Sequence, residues 1–243
     1  MAPTLIDSRY SKDLSTPPRV SGWVVSAKES RFIMPLNDNR ILRLVEDRYH
    51  GADFGYITKL TLCGYSNEHY IFRQIGQMRE AGLSDTEILD MIANLQMDTP
   101  FTDKVIARFS YDDFTFLDDT GARVQGVQIR GAFVDEEYSG VGLAGAFYRQ
   151  LVKRYRNVAG DHIQTELGAA LWGGTICRQV GVVRIYDCQA NCFIDTLGEG
   201  YRGRTGYIPW DLSPRAKVGN LRRFKTYPFS QGCRHHIVFI LSL

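Results

Sequence analysis

Residues 134–147 read Val-Asp-Glu-Glu-Tyr-Ser-Gly-Val-Gly-Leu-Ala-Gly-Ala-Phe. An apolar run at 127–134 leads into this stretch, and Phe147, Leu151, Val152 and Tyr155 follow it at helical spacing. The order is therefore strand, small-residue turn, helix. Such a turn aims several backbone N–H groups and the positive end of a helix dipole at one point, where an anion binds. Gly140, Gly142 and Ala144 keep the turn free of bulk, so a phosphate can approach the main chain. No Lys-Ser/Thr pair follows, as a P-loop would require.

Upstream, 20–27 reads as a first strand, 37–47 as a helix on the spacing of Ile41, Leu42 and Val45, and 56–63 as an alternating strand. Ser66 opens a helix that runs to about Ala81 and stops at Gly82. Ser84-Asp85-Thr86-Glu87 is a capping box ahead of Ile88, Leu89, Met91, Ile92 and Leu95, and Thr99-Pro100 closes that second helix. Strands are expected at 105–109, 114–117 and 127–134, with Asp118-Asp119-Thr120-Gly121 as a turn. After the loop come a helix at 142–156, a strand at 162–167, a helix at 168–180, a strand at 182–187 and a last apolar strand at 236–243. No second core or internal repeat is visible. The expected organisation is an extended arm at 1–18 and one domain at 19–243, with an irregular basic insertion at about 198–232.

The loop resembles the acyl-CoA loop of the GNAT family of N-acetyltransferases, whose pattern is roughly Val-x-x-x-Tyr-Arg-Gly-x-Gly-Ile-Gly/Ala-x-x-Leu. Val134, Tyr138, Gly140, Gly142, Leu143, Ala144 and Phe147 fall in register, and Ser139 stands where the family usually has Arg or Gln. The element order from Tyr56 to Leu243 is similar to the family's as well, and Gly181 sits where its fourth helix ends. The resemblance implies an α+β (α/β/α) fold: a mixed, mostly antiparallel central sheet flanked by helices, with a V-shaped splay at the CoA site. It implies acetyl-CoA as co-substrate. Pantetheine would pair with the strand edge at Ala132, Phe133 and Val134, and pyrophosphate would rest on the loop at Ser139, Gly140, Val141, Gly142, Leu143 and Ala144.

Acyl transfer to an amine needs an acid for the leaving thiolate and a base for the amine. The residue aligned with the family's acid is Cys177, with Tyr186 nearby as a substitute. For the base the first candidate is Glu166, expected on a strand beside apolar walls that would raise its pKa. Glu136 and Glu137 lie at the loop mouth. Cys188, Cys192, Cys233, His235 and His236 do not form a familiar ligand set, and no metal is expected.

With 44% hydrophobic and 23% charged residues the chain falls among soluble globular proteins, and no apolar run nears the roughly 18 residues of a membrane helix. The polar start, Pro17-Pro18 and five cysteines suggest reduced thiols and a cytoplasmic setting. The net charge of +2 is split: residues 201–243 carry eight basic residues against Asp211, which leaves the first 200 residues acidic. The basic stretch from Arg202 to Lys225, interleaved with Tyr201, Tyr207, Trp210, Phe224 and Tyr227, points to an anionic partner, either nucleic acid or an acidic protein surface. A second copy of the chain is a further candidate partner. Three functions stay open: an N-acyltransferase with an unidentified amine acceptor, a GNAT-like fold used for binding or assembly (viral assembly included), and a nucleic-acid modifying acyltransferase resembling the phage Mom proteins.

Overall fold

The computed structural model describes residues 4–6, 14–18, 22–34, 39–98, 104–212 and 236–243. In chain order its elements are β1 (Thr4–Ile6), β2 (Trp23–Ile33), β3 (Ile41–His50), β4 (Tyr56–Leu62), α1 (Glu68–Glu80), α2 (Asp85–Asn94), β5 (Val105–Leu117) and β6 (Arg123–Val134). Then come α3 (Leu143–Tyr155), β7 (Asn157–Ala159), β8 (Ile163–Thr165), α4 (Glu166–Ala170), a π-helical stretch (Leu171–Ile176) and α5 (Cys177–Gln179). The chain continues through β9 (Val182–Asp187), β10 (Cys192–Thr196), β11 (Asp211–Leu212) and β12 (Ile237–Ser242). The result is an α+β fold in which four helical segments flank a nine-stranded, mostly antiparallel sheet of order β10-β9-β12-β7-β6-β5-β4-β3-β2. A separate three-stranded sheet, β11-β1-β8, is parallel throughout. Its middle strand, β1, lies in the segment expected as an extended arm.

The chain divides into two compact units, and β5, β6 and α3 contribute residues to both. One unit comprises Leu14–Ser110 and Ala132–Ala146. Its core is Ile33, Ile41, Cys63, Tyr65, Ile71, Ile75, Ile88 and Ile92, a cluster that the inward faces of α1 and α2 complete. α2 begins where the sequence signals a start, whereas α1, expected to open at Ser66, is capped one residue later by Asn67. Asn67 Oδ1 accepts from the Tyr70 N–H at the head of α1, and the capping box of α2 is closed at both ends. There the Glu87 carboxylate accepts from the Ser84 N–H at 2.8 Å, and Ser84 Oγ accepts from the Glu87 N–H at 3.4 Å. Ser84→Ala should cost about 1 kcal/mol, because it leaves a helix-end donor without a protein partner. Urea unfolding of the variant checks this, and an unchanged midpoint would count against it.

Segment 37–47, expected as a helix, is corrected by β3, a ten-residue strand with a partner on each side. Its Ile41, Leu42 and Val45 suit either period. The pairings of Leu42 with Phe32 and with Leu62 decide for the strand, because both backbone edges are then satisfied. The first strand is also longer than 20–27, running from Trp23 to Ile33.

The other unit comprises Met1–Asp13, Tyr111–Gly131 and Phe147–Leu243. Phe116, Ala159, Tyr186, Val238 and Ile240 form a core cluster there. The strands expected at 105–109 and 114–117 are one continuous β5. The turn after it is held by Asp118, whose Oδ1 accepts from the Thr120 and Ala122 N–H groups. The β6–β7 ladder is parallel and short: it pairs Val127 with Val158 and Gln128 with Ala159. The Gln128 side-chain amide then donates to the Gly160 carbonyl at 3.1 Å, where backbone pairing has stopped. The strand expected at 162–167 ends at Thr165, whose Oγ1 accepts from the Gly168 N–H and so caps a helix. The helix expected at 168–180 therefore starts at Glu166, and its middle is π-helical. Gly181 is tightly confined, since a Cβ there would lie 2.5 Å from the Ser242 carbonyl oxygen.

Candidate functional site

The loop 135–142 joins β6 to α3 as the sequence indicates. Asp135 starts it: its Oδ1 accepts from the Glu137 N–H at 3.0 Å, and its own N–H donates to the Ile106 carbonyl at 2.9 Å. A 3₁₀ turn, Glu136–Tyr138, follows. Gly140 and Gly142 then take φ of 83° and 80°, a region costly for residues with a Cβ. Space beside Gly140 is open, with nothing within 4 Å of a built Cβ. α3 begins at once at Leu143, so its first-turn N–H groups have no acceptor within the helix. Ala132, Ser139 and Gly140 are exposed, and Phe133, Val134, Val141, Gly142 and Ala144 are half-buried. Leu143 is buried and anchors the helix start.

Tyr138 is buried beneath the loop and is flanked by two cations that no local pattern announced. The Arg40 guanidinium lies 5.2 Å from its ring centroid and the Lys104 ammonium 5.3 Å. Lys104 also pairs with Glu137 and lies 3.9 Å from Asp135. The hydrogen bond from Lys104 to Glu137 raises the lysine's pKa. Asp135 and Glu137, two of the three acids at the loop mouth, thus share one lysine, which offsets one of their charges.

The three candidate catalytic residues belong to the other unit. Glu166 is not on a strand: it opens α4 and is half-buried. Cys177 opens α5, with Sγ 3.9 Å from the Leu197 carbonyl, and burial pushes its thiol pKa up. Tyr186 is a core residue of β9. Its hydroxyl accepts from the Leu117 N–H at 3.0 Å, and its ring meets Phe116 and Phe193 edge-on. Glu136 is exposed.

Sequence reasoning passed over Asp161. This carboxyl sits just beyond β7, is 8% exposed, and is pushed up to about 7 by burial, against which the His162 and Ile163 N–H groups work. Beside it the Gln164 amide nitrogen donates to the Asp161 carbonyl at 3.4 Å, while the buried Gln164 Oε1 has no partner. The signal that was there is a polar Gly160-Asp161 directly after a short apolar strand.

Among the described residues no group of three or more His, Cys, Asp or Glu is placed to hold a metal ion. His236 Nε2 lies 3.4 Å from Asp187 Oδ2, and burial pushes the Cys188 thiol up to about 11. Cys233 and His235 lie outside the described residues. Of the basic insertion, 198–212 is described. Trp210 is fully buried, donates to the Tyr201 carbonyl at 2.7 Å and packs on Phe239, while Arg202 and Arg204 are exposed. Arg215, Lys217, Arg222, Arg223 and Lys225 lie outside the described residues. Among the described residues no helix is long and apolar enough to cross a membrane. No family model, no curated protein and no solved structure matches this chain.

Proposed function

We propose that the protein is an acyl-CoA-dependent N-acyltransferase that moves an acetyl group from acetyl-CoA to an amine. One observation carries the reading: between β6 and α3, the two glycines in register with the family's loop both hold left-handed backbone, directly ahead of a helix start. That is the local geometry of an anion cradle. The short β6–β7 ladder supports the reading too, because β6 runs on to Val134 after pairing with β7 has stopped at Gln128. Backbone groups at Ala132, Phe133 and Val134 would then be available to pantetheine, and the amides of Gly140–Ala144 to pyrophosphate.

The chemistry asks for an acid and a base. A Cys177 thiol with raised pKa stays protonated at neutral pH and can donate to a leaving thiolate. Tyr186 is the weaker acid candidate, since its hydroxyl is buried and engaged. For the base, Glu166 is the choice by resemblance, and Asp161 is the carboxyl whose surroundings tune it to neutral pH. Acetyl-CoA binding measured by calorimetry tests the first half of the proposal, and no heat of binding would end it. Thiol release with a panel of amines tests the second half. Glu166→Gln should lower the rate about 10²-fold and flatten its pH profile if Glu166 is the base. Full activity with an unchanged profile would transfer the role to Asp161.

The reading of a fold that binds without catalysing is favoured by one observation, the sequestration of Tyr186 in the core. It predicts CoA binding without thiol release.

A further inference from the structure

Arg108 is a buried cation on β5 that, among the described residues, has no acid beside it. It is 8% exposed. Its Nη1 donates to the Leu14 carbonyl at 2.9 Å and to the Ser15 carbonyl at 2.7 Å. Its Nε is buried and has no partner. Two residues along the same strand, on the same face, the fully buried Ser110 Oγ also has none. Burial lowers the Arg108 pKa, and no carboxylate among the described residues counters it.

An arginine does not escape such a site by losing its proton, because its pKa lies too high. Buried charges in folded proteins are paired, and an unpaired one is costly. Two neutral carbonyls hold the guanidinium in place from the Nη1 side. They do not neutralise it, and they leave the Nε side of the fork without a partner. The position in the fold is informative. The Asp135 N–H bonds to the Ile106 carbonyl, so the start of β5 lies beside the end of β6, and Arg108 is about 7 Å further along. That puts Arg108 beside the segment of β6 at Ala132, Phe133 and Val134, on the edge opposite the one that faces β7, within the same compact unit.

We propose that Arg108 and Ser110 form a binding site for a carboxylate, and that the acyl acceptor is an amine carrying that carboxylate. The second half rests on the acyltransferase reading, while the first stands without it. A planar carboxylate matches the guanidinium fork and balances its single charge. A phosphate dianion would exceed that charge. The Ser110 hydroxyl supplies a donor on the same face.

The test uses the full-length chain. Its melting temperature is followed with sodium acetate, with sodium phosphate and with sodium chloride at equal ionic strength. Acetate should raise it by about 5–10 °C at a hundred times Kd, well beyond chloride. Arg108→Met should abolish that response. Arg108→Lys keeps the charge, is the safer variant for folding, and should weaken acetate binding about tenfold by losing the fork. Equal responses to acetate and chloride in the wild type overturn the site, as does unaltered acetate binding in Arg108→Lys. A phosphate response equal to that of acetate overturns the choice of a carboxylate. Acetyl-CoA binding is measured alongside: its absence with the acetate response intact removes the acyltransferase reading and leaves the carboxylate site.

Discussion

Gly142→Asp should reduce CoA affinity by at least about a hundredfold, because it sets a like charge against the proposed pyrophosphate position, a juxtaposition that costs several kcal/mol. Two effects add. The backbone at φ 80° is strained for any residue with a Cβ, and the new carboxylate adds a negative charge to the loop proposed for the phosphates. Local strain of about 1–2 kcal/mol is too small to unfold a chain of this size. A thermal melt confirms folding, and calorimetry reads the affinity. A folded variant that binds CoA as the wild type does would place the nucleotide elsewhere or nowhere.

Asp161→Asn should stabilise the protein above pH 7 and leave it nearly unchanged near pH 4. In the folded state the carboxyl titrates at about 7, whereas unfolded it takes the ordinary value of 3.8. Between those values the folded chain holds a proton that the unfolded chain has released. Wild-type stability therefore falls as pH rises from about 4 to about 7 and levels off beyond. An amide carries no such dependence. The gain at pH 8 has an upper bound of about 4 kcal/mol, following 1.36 kcal/mol per pKa unit. Urea unfolding of both proteins at pH 4 and pH 8 reads it out, and an equal difference at the two pH values would refute it. Asp161 is thus a carboxyl kept at a cost in stability, just beyond the end of the β6–β7 ladder.

The places where sequence and structure agree share one property: the deciding interactions are local. Ser84 and Glu87 cap α2 from three residues apart, and Asp118 closes its turn within four. Gly140 and Gly142 hold positive φ because residues with a Cβ rarely can. β9 runs from Val182 to Asp187 as its apolar pattern indicates. The Glu166 placement was also a local matter. Thr165 followed by Gly168 is a cap, and its hydroxyl ends the strand one residue before the carboxylate.

By itself the sequence determined the β6–loop–α3 unit and the two capped helices, since hydrogen-bond capping, glycine φ and apolar period act within a few residues; the mostly antiparallel α+β class was expected from the family resemblance. The tertiary structure alone decided that 41–50 is a strand, because β2 and β4 supply its partners on both edges. It alone brought Arg40 and Lys104 to Tyr138, from about a hundred and about thirty residues away. Most of all, it decided the electrostatics: Arg108 without an acid among the described residues, and Asp161 raised to about 7 by burial. Those properties depend on which chain segments exclude water from a charge, and desolvation is a sum over the whole surrounding fold rather than a feature of any stretch of sequence.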